Sequence, residues 1–247
     1  MLPVLFSVGP FEVYSYGLML AIAFIACIIL VTREASKQGL DEDAIFTLSI
    51  LVIIAGLVGA RLGFVLQNLP HFVKHPTEIW LVDEGGLSLH GGLILAILVG
   101  WWYTRRKEFN FGKVANLVAP AVALGTAIGR IGCFFNGCCY GKEAVPPWGV
   151  SFAGELPVYP IQLWESGLCF LLFWGLWKYR RGRQPGELFL YYLIGYSTIR
   201  FFIEFWRWGN PILLGLTLAQ WVSVGIAAIA AVILHKQKQD HGFTHRA

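Results

Sequence analysis

Residues 129–141 read GRIGCFFNGCCYG. An arginine and three cysteines stand here among glycines at the end of a segment, 114–135, that is otherwise apolar. That segment is long enough to cross a bilayer, which takes about 20 residues. An unpaired guanidinium at membrane depth costs at least ~2.5–3.5 kcal/mol, so such an arginine carries a partner or a task. Arg61 and Arg200 are in the same position, near the ends of the apolar stretches 44–66 and 186–205. Working outward, further apolar stretches lie at 15–32, 88–103, 159–177 and 216–234. In lipid every backbone group must be satisfied within the span, so these stretches predict an all-α bundle of about seven transmembrane helices. The composition agrees: of 247 residues, 56% are hydrophobic and only 14% charged, with mean hydropathy +0.61.

Lys and Arg accumulate in short cytoplasmic loops, which orients the bundle. Arg33 and Lys37 follow the first stretch; Arg105, Arg106, Lys107 and Lys113 the third; Lys178, Arg180, Arg181 and Arg183 the fifth; Lys236, Lys238 and Arg246 the seventh. Thirteen of the nineteen basic residues therefore share one side. This predicts an external N-terminus and a cytoplasmic C-terminus. No Lys or Arg precedes Arg33, so the opening segment lacks the charged start of a cleavable signal peptide and is expected to remain as the first span. The net charge of +4 reflects this topology and gives no reason to expect nucleic acid as a partner. No repeat, low-complexity tract or linker divides the chain, so residues 1–247 are read as one integral-membrane domain, with residues 235–247 as a solvated tail.

On this topology the second, fourth and sixth spans run outward, with Arg61, Arg130 and Arg200 in the last third of each. The odd spans run inward and carry Tyr16, His90, Gln162 and Glu165 near their beginnings. Independent structural polar residues have no reason to share a depth, so the seven positions predict one site open to the outer half of the bilayer. Along the sixth span Tyr192, Tyr196, Arg200 and Glu204 recur every four residues and form a polar stripe. An Arg200–Glu204 pair one turn apart would lower the cost of burying both charges. Arg61, in GARLG, suits helix packing or a lipid headgroup. Gly129 and Gly132 beside Arg130 allow close approach of a ligand or of another backbone. His90 is either a helix-start structural residue or a proton-transfer group. Arginines pair with phosphate oxygens in a fork, and membranes supply phosphate as lipid headgroups.

Cys27 and Cys169 lie inside apolar stretches and read as small hydrophobes. Cys133, Cys138 and Cys139 form C-x4-C-C, for which a disulfide, a metal site and simple packing are all open. No C-x-x-C pair and no matching second cluster occurs, so neither a metal nor any other cofactor is expected.

Taken together, YGLM at 16–19, GARLG at 59–63, GGLSLHGG at 85–92, GRIGCFFNGCCYG at 129–141, YPIQLWES at 159–166 and RFFIEFWR at 200–207 resemble the bacterial prolipoprotein diacylglyceryl transferases, in this order and over almost the whole chain. The resemblance implies a bacterial plasma-membrane enzyme with its active site toward the outer leaflet. Such an enzyme transfers the diacylglyceryl group of phosphatidylglycerol to the lipobox cysteine thiol of a prolipoprotein signal peptide, releasing glycerol phosphate. It implies functional roles for Tyr16, His90, Arg130, Gly141, Tyr196, Arg200 and Glu204. Arg61, Gln162 and Glu165 join Arg130, Arg200 and Gly141 as expected headgroup contacts. Two departures stand out: the usual signature has asparagine where Cys133 stands and glutamate where Cys138 stands, and YPIQLWES replaces an HPTQLYES-like run.

Three other readings make contrary predictions. A related headgroup transferase would use another acceptor. A lipid or anion transporter would carry inward-facing polar residues, which the cytoplasmic halves of these stretches largely lack. A thiol oxidoreductase would lose all activity on replacement of Cys138 and Cys139 by serine, whereas the transferase reading expects at least one such replacement to be tolerated.

Overall fold

The computed structural model describes residues 4–8, 11–80, 86–145, 147–152 and 156–244. It is mostly helical, as expected, but a two-stranded antiparallel hairpin precedes the first helix: β1 (Val4–Val8) and β2 (Phe11–Tyr14), with Val4 opposite Tyr14 and Val8 opposite Phe11. The all-α expectation overlooked it because this apolar run is short, rich in β-branched and aromatic residues, and broken by Gly9 and Pro10, which together favour a hairpin.

Seven long helices follow among the described residues: α1 (Ser15–Lys37), α2 (Glu42–Gln67), α4 (Leu89–Arg106), α5 (Phe111–Asn136), α6 (Ile161–Lys178), α7 (Glu187–Ile203) and α8 (Leu218–Thr244). A single-turn α3 (Leu69–Phe72) lies between α2 and α4. All seven long helices overlap the apolar stretches read from the sequence. Among the described residues five segments are long and apolar enough to cross a membrane: α1, α2, α5, α7 with the turn after it, and residues 218–239 of α8. The helices α4 and α6 are 18 residues each and are not among these five. Large apolar side chains such as Ile25, Ile54, Leu93, Leu171 and Ile229 are exposed on the helix faces, the reverse of a soluble fold. The expected solvated tail is helical as far as Thr244.

The chain forms two compact units, residues 31–114 and residues 1–30 with 115–247. In the first, Asp41 caps α2 by accepting hydrogen bonds from the Asp43 and Ala44 amides at 3.0 and 3.3 Å. A glycine seam then brings α2 and α4 into backbone contact. A Cβ on Gly59 would lie 2.5 Å from the Gly91 carbonyl oxygen, and one on Gly63 2.8 Å from the Gly91 Cα. Small residues of this kind are what let helices pack closely where lipid supplies no hydrophobic drive.

The second unit is tied together by side chains that bridge helices. Asn116 of α5 accepts from the Leu188 and Phe189 amides and donates to the Gln184 carbonyl, capping the start of α7. Ser166 of α6 donates to the Ala127 carbonyl of α5 at 2.8 Å. Between these ties Ala119 and Ala123 pack with Leu176, Leu188 and Tyr192. Pro120 is accommodated within α5 rather than ending it. With α5, α6 and α7 fixed in this way, the end of α5, the beginning of α6 and the end of α7 lie together.

Candidate active site

Arg130, on the last third of α5, meets Glu165 of α6, with Nε 3.0 Å from Oε2. Glu165 is wholly buried, and Tyr196 of α7 donates its hydroxyl to the other carboxylate oxygen at 3.4 Å. One carboxylate thus joins three helices and balances the guanidinium charge held against it. One turn beyond Tyr196, Arg200 Nη2 lies 2.9 Å from Glu204 Oε2, the pair expected from their spacing. Arg207 Nε approaches the same oxygen at 3.7 Å, while Thr217 donates to Glu204 Oε1 at 3.3 Å. Arg207 escaped the sequence reading, although its i,i+3 spacing from Glu204 was a usable signal.

Two arginines share one carboxylate, so the triad keeps a net positive charge. Arg200 Nη1 and Arg207 Nη1 are both buried without a hydrogen-bond partner among the described residues. Buried donors left in that state are costly, and an anion with several oxygens would satisfy them. Arg130 and Glu165 lie within electrostatic reach of Arg207 as well, so the two clusters form one field. Burial, then the Arg200 and Arg130 charges, pull the Arg207 guanidinium below its ordinary value.

The other expected residues of this unit fall around these clusters. Tyr16 is partly exposed at the start of α1, within electrostatic reach of Arg130 and the three clustered cysteines. The glycines beside Arg130 differ. A Cβ on Gly132 would lie 2.9 Å from Met19 Cβ, so this glycine serves α1–α5 packing, whereas Gly129 borders open space. Gln162 is buried and donates to the Cys138 carbonyl at 2.8 Å. Gly141 stands where the chain is clamped: its amide donates to the Tyr159 carbonyl at 2.9 Å. A Cβ there would lie 2.6 Å from the Trp206 carbonyl oxygen. Its contribution is therefore close backbone approach.

The cysteine cluster follows from the way α5 ends. Gly137 adopts φ +70°, its amide bonds the Phe134 carbonyl, and the Cys138 amide bonds the Cys133 carbonyl at 3.1 Å. This is a Schellman turn, and it folds Cys138 back over Cys133. Cys139 takes a left-handed φ of +64°, and the three sulfurs lie within 4.8 Å of one another. All five cysteines are unbridged. Hydrogen bonds from the Cys133 and Cys138 thiols, aided by the Arg130 and Arg207 charges and opposed by burial, pull the Cys139 thiol down to about 5. Burial pushes the Cys138 thiol up.

Two expected site residues belong to the other unit. Arg61 donates from Nε to the Ile79 carbonyl at 2.8 Å, from Nη1 to Gly86 at 3.1 Å and from Nη2 to Glu78 at 2.6 Å, and it lies over the Phe64 and Phe72 rings. Of the two roles expected for Arg61, packing and a headgroup contact, these bonds serve the first, since they hold carbonyls of the α2–α4 connection. His90 is exposed on the first turn of α4.

Along α6 and the end of α7 runs an open apolar groove of about 750 Å³, lined by Leu163, Trp164, Leu168, Phe202, Ile203 and Trp206 among others, the last two next in sequence to Glu204 and Arg207. Buried guanidinium donors suit an anion, and an apolar groove suits hydrocarbon.

Comparison with known proteins bears on the chain as a whole. Residues 3–236 match the family model described as prolipoprotein diacylglyceryl transferase. The chain is 39% identical over 218 residues to the phosphatidylglycerol–prolipoprotein diacylglyceryl transferase of Geobacter sulfurreducens, covering 83% of this chain and 82% of that one. It is 36% identical over 219 residues to the protein of the same name from Clostridium tetani, covering 85% and 87%. With the one from Azoarcus sp. it shares 35% over 247 residues, covering 94% and 93%. The chain, with its arginine–carboxylate clusters at the junction of α5, α6 and α7, belongs to the prolipoprotein diacylglyceryl transferase family.

Proposed function

We propose that this protein transfers the diacylglyceryl group of phosphatidylglycerol to the lipobox cysteine of prolipoproteins, the first step of lipoprotein maturation. The observation that carries the site assignment is the pair of buried, unpartnered nitrogens of Arg200 and Arg207, and the open apolar groove along α6 and α7 supports it. The headgroup phosphate lies against Arg200, Arg207 and Arg130, and the acyl chains lie along α6 and α7. Glu204 orients Arg200, and Glu165 with Tyr196 orients Arg130.

In the reaction the acceptor's sulfur, as thiolate, attacks the glyceryl carbon that carries the phosphate. A carbon–sulfur bond forms and the carbon–oxygen bond breaks. The electron pair leaves with the phosphate oxygen, giving a thioether and glycerol phosphate. Guanidinium donors aimed at those oxygens stabilise the charge as it develops, which is the largest contribution preorganised groups make. The nucleophile belongs to the substrate, so no protein side chain is consumed. Tyr16 and Gln162 border the same region of the unit. His90 takes part in proton transfer or headgroup positioning, a role supported by the GGLSLHGG resemblance.

Seven crossings, with the N-terminus outside and the C-terminus in the cytoplasm of a bacterial plasma membrane, are supported by the basic residues after α1, α4, α6 and in the second half of α8. That topology opens the site to the outer leaflet. The reading is tested with purified protein, phosphatidylglycerol and a synthetic lipobox peptide, following peptide mass. Wild type should add one diacylglyceryl mass, and Arg130→Ala and Arg200→Ala should lose it. No gain from wild type beside an active control enzyme would overturn the reading.

A further inference from the structure

The cysteine cluster has no place in the chemistry above. It contains Cys133 and Cys138, the two signature positions at which this chain departs from the pattern it resembles. The sequence offered C-x4-C-C with no familiar zinc spacing, but the Schellman turn at Gly137 and the left-handed Cys139 gather all three sulfurs to within 4.8 Å of one another. Sulfurs of a tetrahedral zinc site with bonds of about 2.3 Å lie about 3.8 Å apart, so rotamer adjustments of about 1 Å complete the geometry. Cys139 is exposed and the other two are half-buried, which leaves a path for an ion to enter. Arg130 and Arg207 lie within electrostatic reach of Cys139 and offset part of the thiolate charge there.

We propose that Cys133, Cys138 and Cys139 form a three-sulfur site for a zinc-class d10 cation whose fourth coordination position is open to the acceptor's thiol. Thiolate sulfur selects such soft ions, and three protein ligands with one open position is the arrangement of sites that do chemistry. The assignment of the fourth ligand rests on the transferase reading; the three-sulfur site does not. On binding, the acceptor's S–H proton leaves to solvent and its sulfur takes the open position as thiolate, beside the arginines that hold the departing phosphate. The carbon–sulfur bond then forms at that sulfur as the carbon–oxygen bond breaks.

The test uses the full-length protein in detergent, reduced and stripped of metal, and titrated with Co²⁺ alone. One equivalent should produce the visible bands of tetrahedral thiolate coordination and protect the three sulfurs from alkylation, read by intact mass. Cys139→Ser should weaken Co²⁺ binding at least about 10-fold, since even outer-shell losses cost 10–100-fold in affinity, while Cys27→Ser leaves it unchanged. A lipobox peptide should shift the Co²⁺ spectrum, and its Cys→Ser counterpart should not. The proposal is overturned if no thiolate bands appear, if Cys139→Ser binds as wild type does, if the reduced and stripped chain reoxidises to a disulfide within the cluster in place of binding, or if both peptides give the same spectrum. Peptide mass gain with phosphatidylglycerol reads the transferase separately. Transfer without metal binding overturns this site alone. Metal binding without transfer removes the transferase reading and leaves the three-sulfur site standing.

Discussion

Glu165→Gln replaces a carboxylate by an amide of the same shape at the point where α5, α6 and α7 meet. At the 3.0 Å separation of Arg130 Nε and Glu165 Oε2, with an effective dielectric of about 20, Coulomb's law gives about 5 kcal/mol of attraction. That agrees with the ~3–5 kcal/mol lost when one partner of a buried pair is removed. The amide keeps an oxygen for the Tyr196 hydroxyl, so the change falls on Arg130. A guanidinium released from its carboxylate still attracts phosphate but is no longer held in one geometry, and a misplacement of about 1 Å costs about 100-fold in rate. Glu165→Gln should therefore lower kcat about 100-fold and leave KM for phosphatidylglycerol within about threefold. Steady-state transfer to a lipobox peptide, read by mass spectrometry over a range of lipid mole fraction in mixed micelles, separates the two constants. Unchanged kcat, or a loss confined to KM, would refute the claim that Glu165 positions Arg130.

Arg207→Ala removes a donor from the triad and should lower kcat/KM about 10²–10³-fold, the range for loss of one oxyanion-stabilising donor; activity within threefold of wild type would place the phosphate elsewhere. Gly141→Ala puts a Cβ 2.6 Å from the Trp206 carbonyl and should destabilise the fold by about 1–3 kcal/mol. Gly167→Ala, with open space around it, should melt as wild type does in the same detergent. His90→Gln should reduce turnover across pH 6–9, and full turnover there would make the residue structural.

Much of this fold is legible in the sequence because membrane helices announce themselves by length and apolarity. The seven stretches overlap the seven long helices among the described residues, five of which are long and apolar enough to cross a membrane. The hairpin is not legible in the same way, since the short, mostly apolar run VLFSV before Gly9 reads equally as a strand or as the lead-in to a span. At the site, Arg200 and Glu204 are one turn apart on one helix and pair as the spacing dictates. Arg130 and Glu165 are thirty-five positions apart, and only a shared depth hinted at their meeting. Arg61 shows the limit of that hint: a costly arginine at the expected level is satisfied by carbonyls of a connection whose path no periodicity describes. The thiol cluster was hidden by loop geometry, because a helix-ending turn rather than ligand spacing brings Cys138 to Cys133.

The sharing of Glu204 by Arg200 and Arg207 also bears on how the cycle ends. A phosphodiester carries one negative charge, whereas the released phosphomonoester carries about 1.5 to 2 at neutral pH. A cradle with two guanidiniums and one carboxylate is left with a single positive charge, so it attracts the product more strongly than the lipid it came from. On the proposed assignment, departure of glycerol phosphate should then slow turnover. Added glycerol phosphate should accordingly inhibit transfer in competition with phosphatidylglycerol, and more strongly than a phosphodiester of the same size.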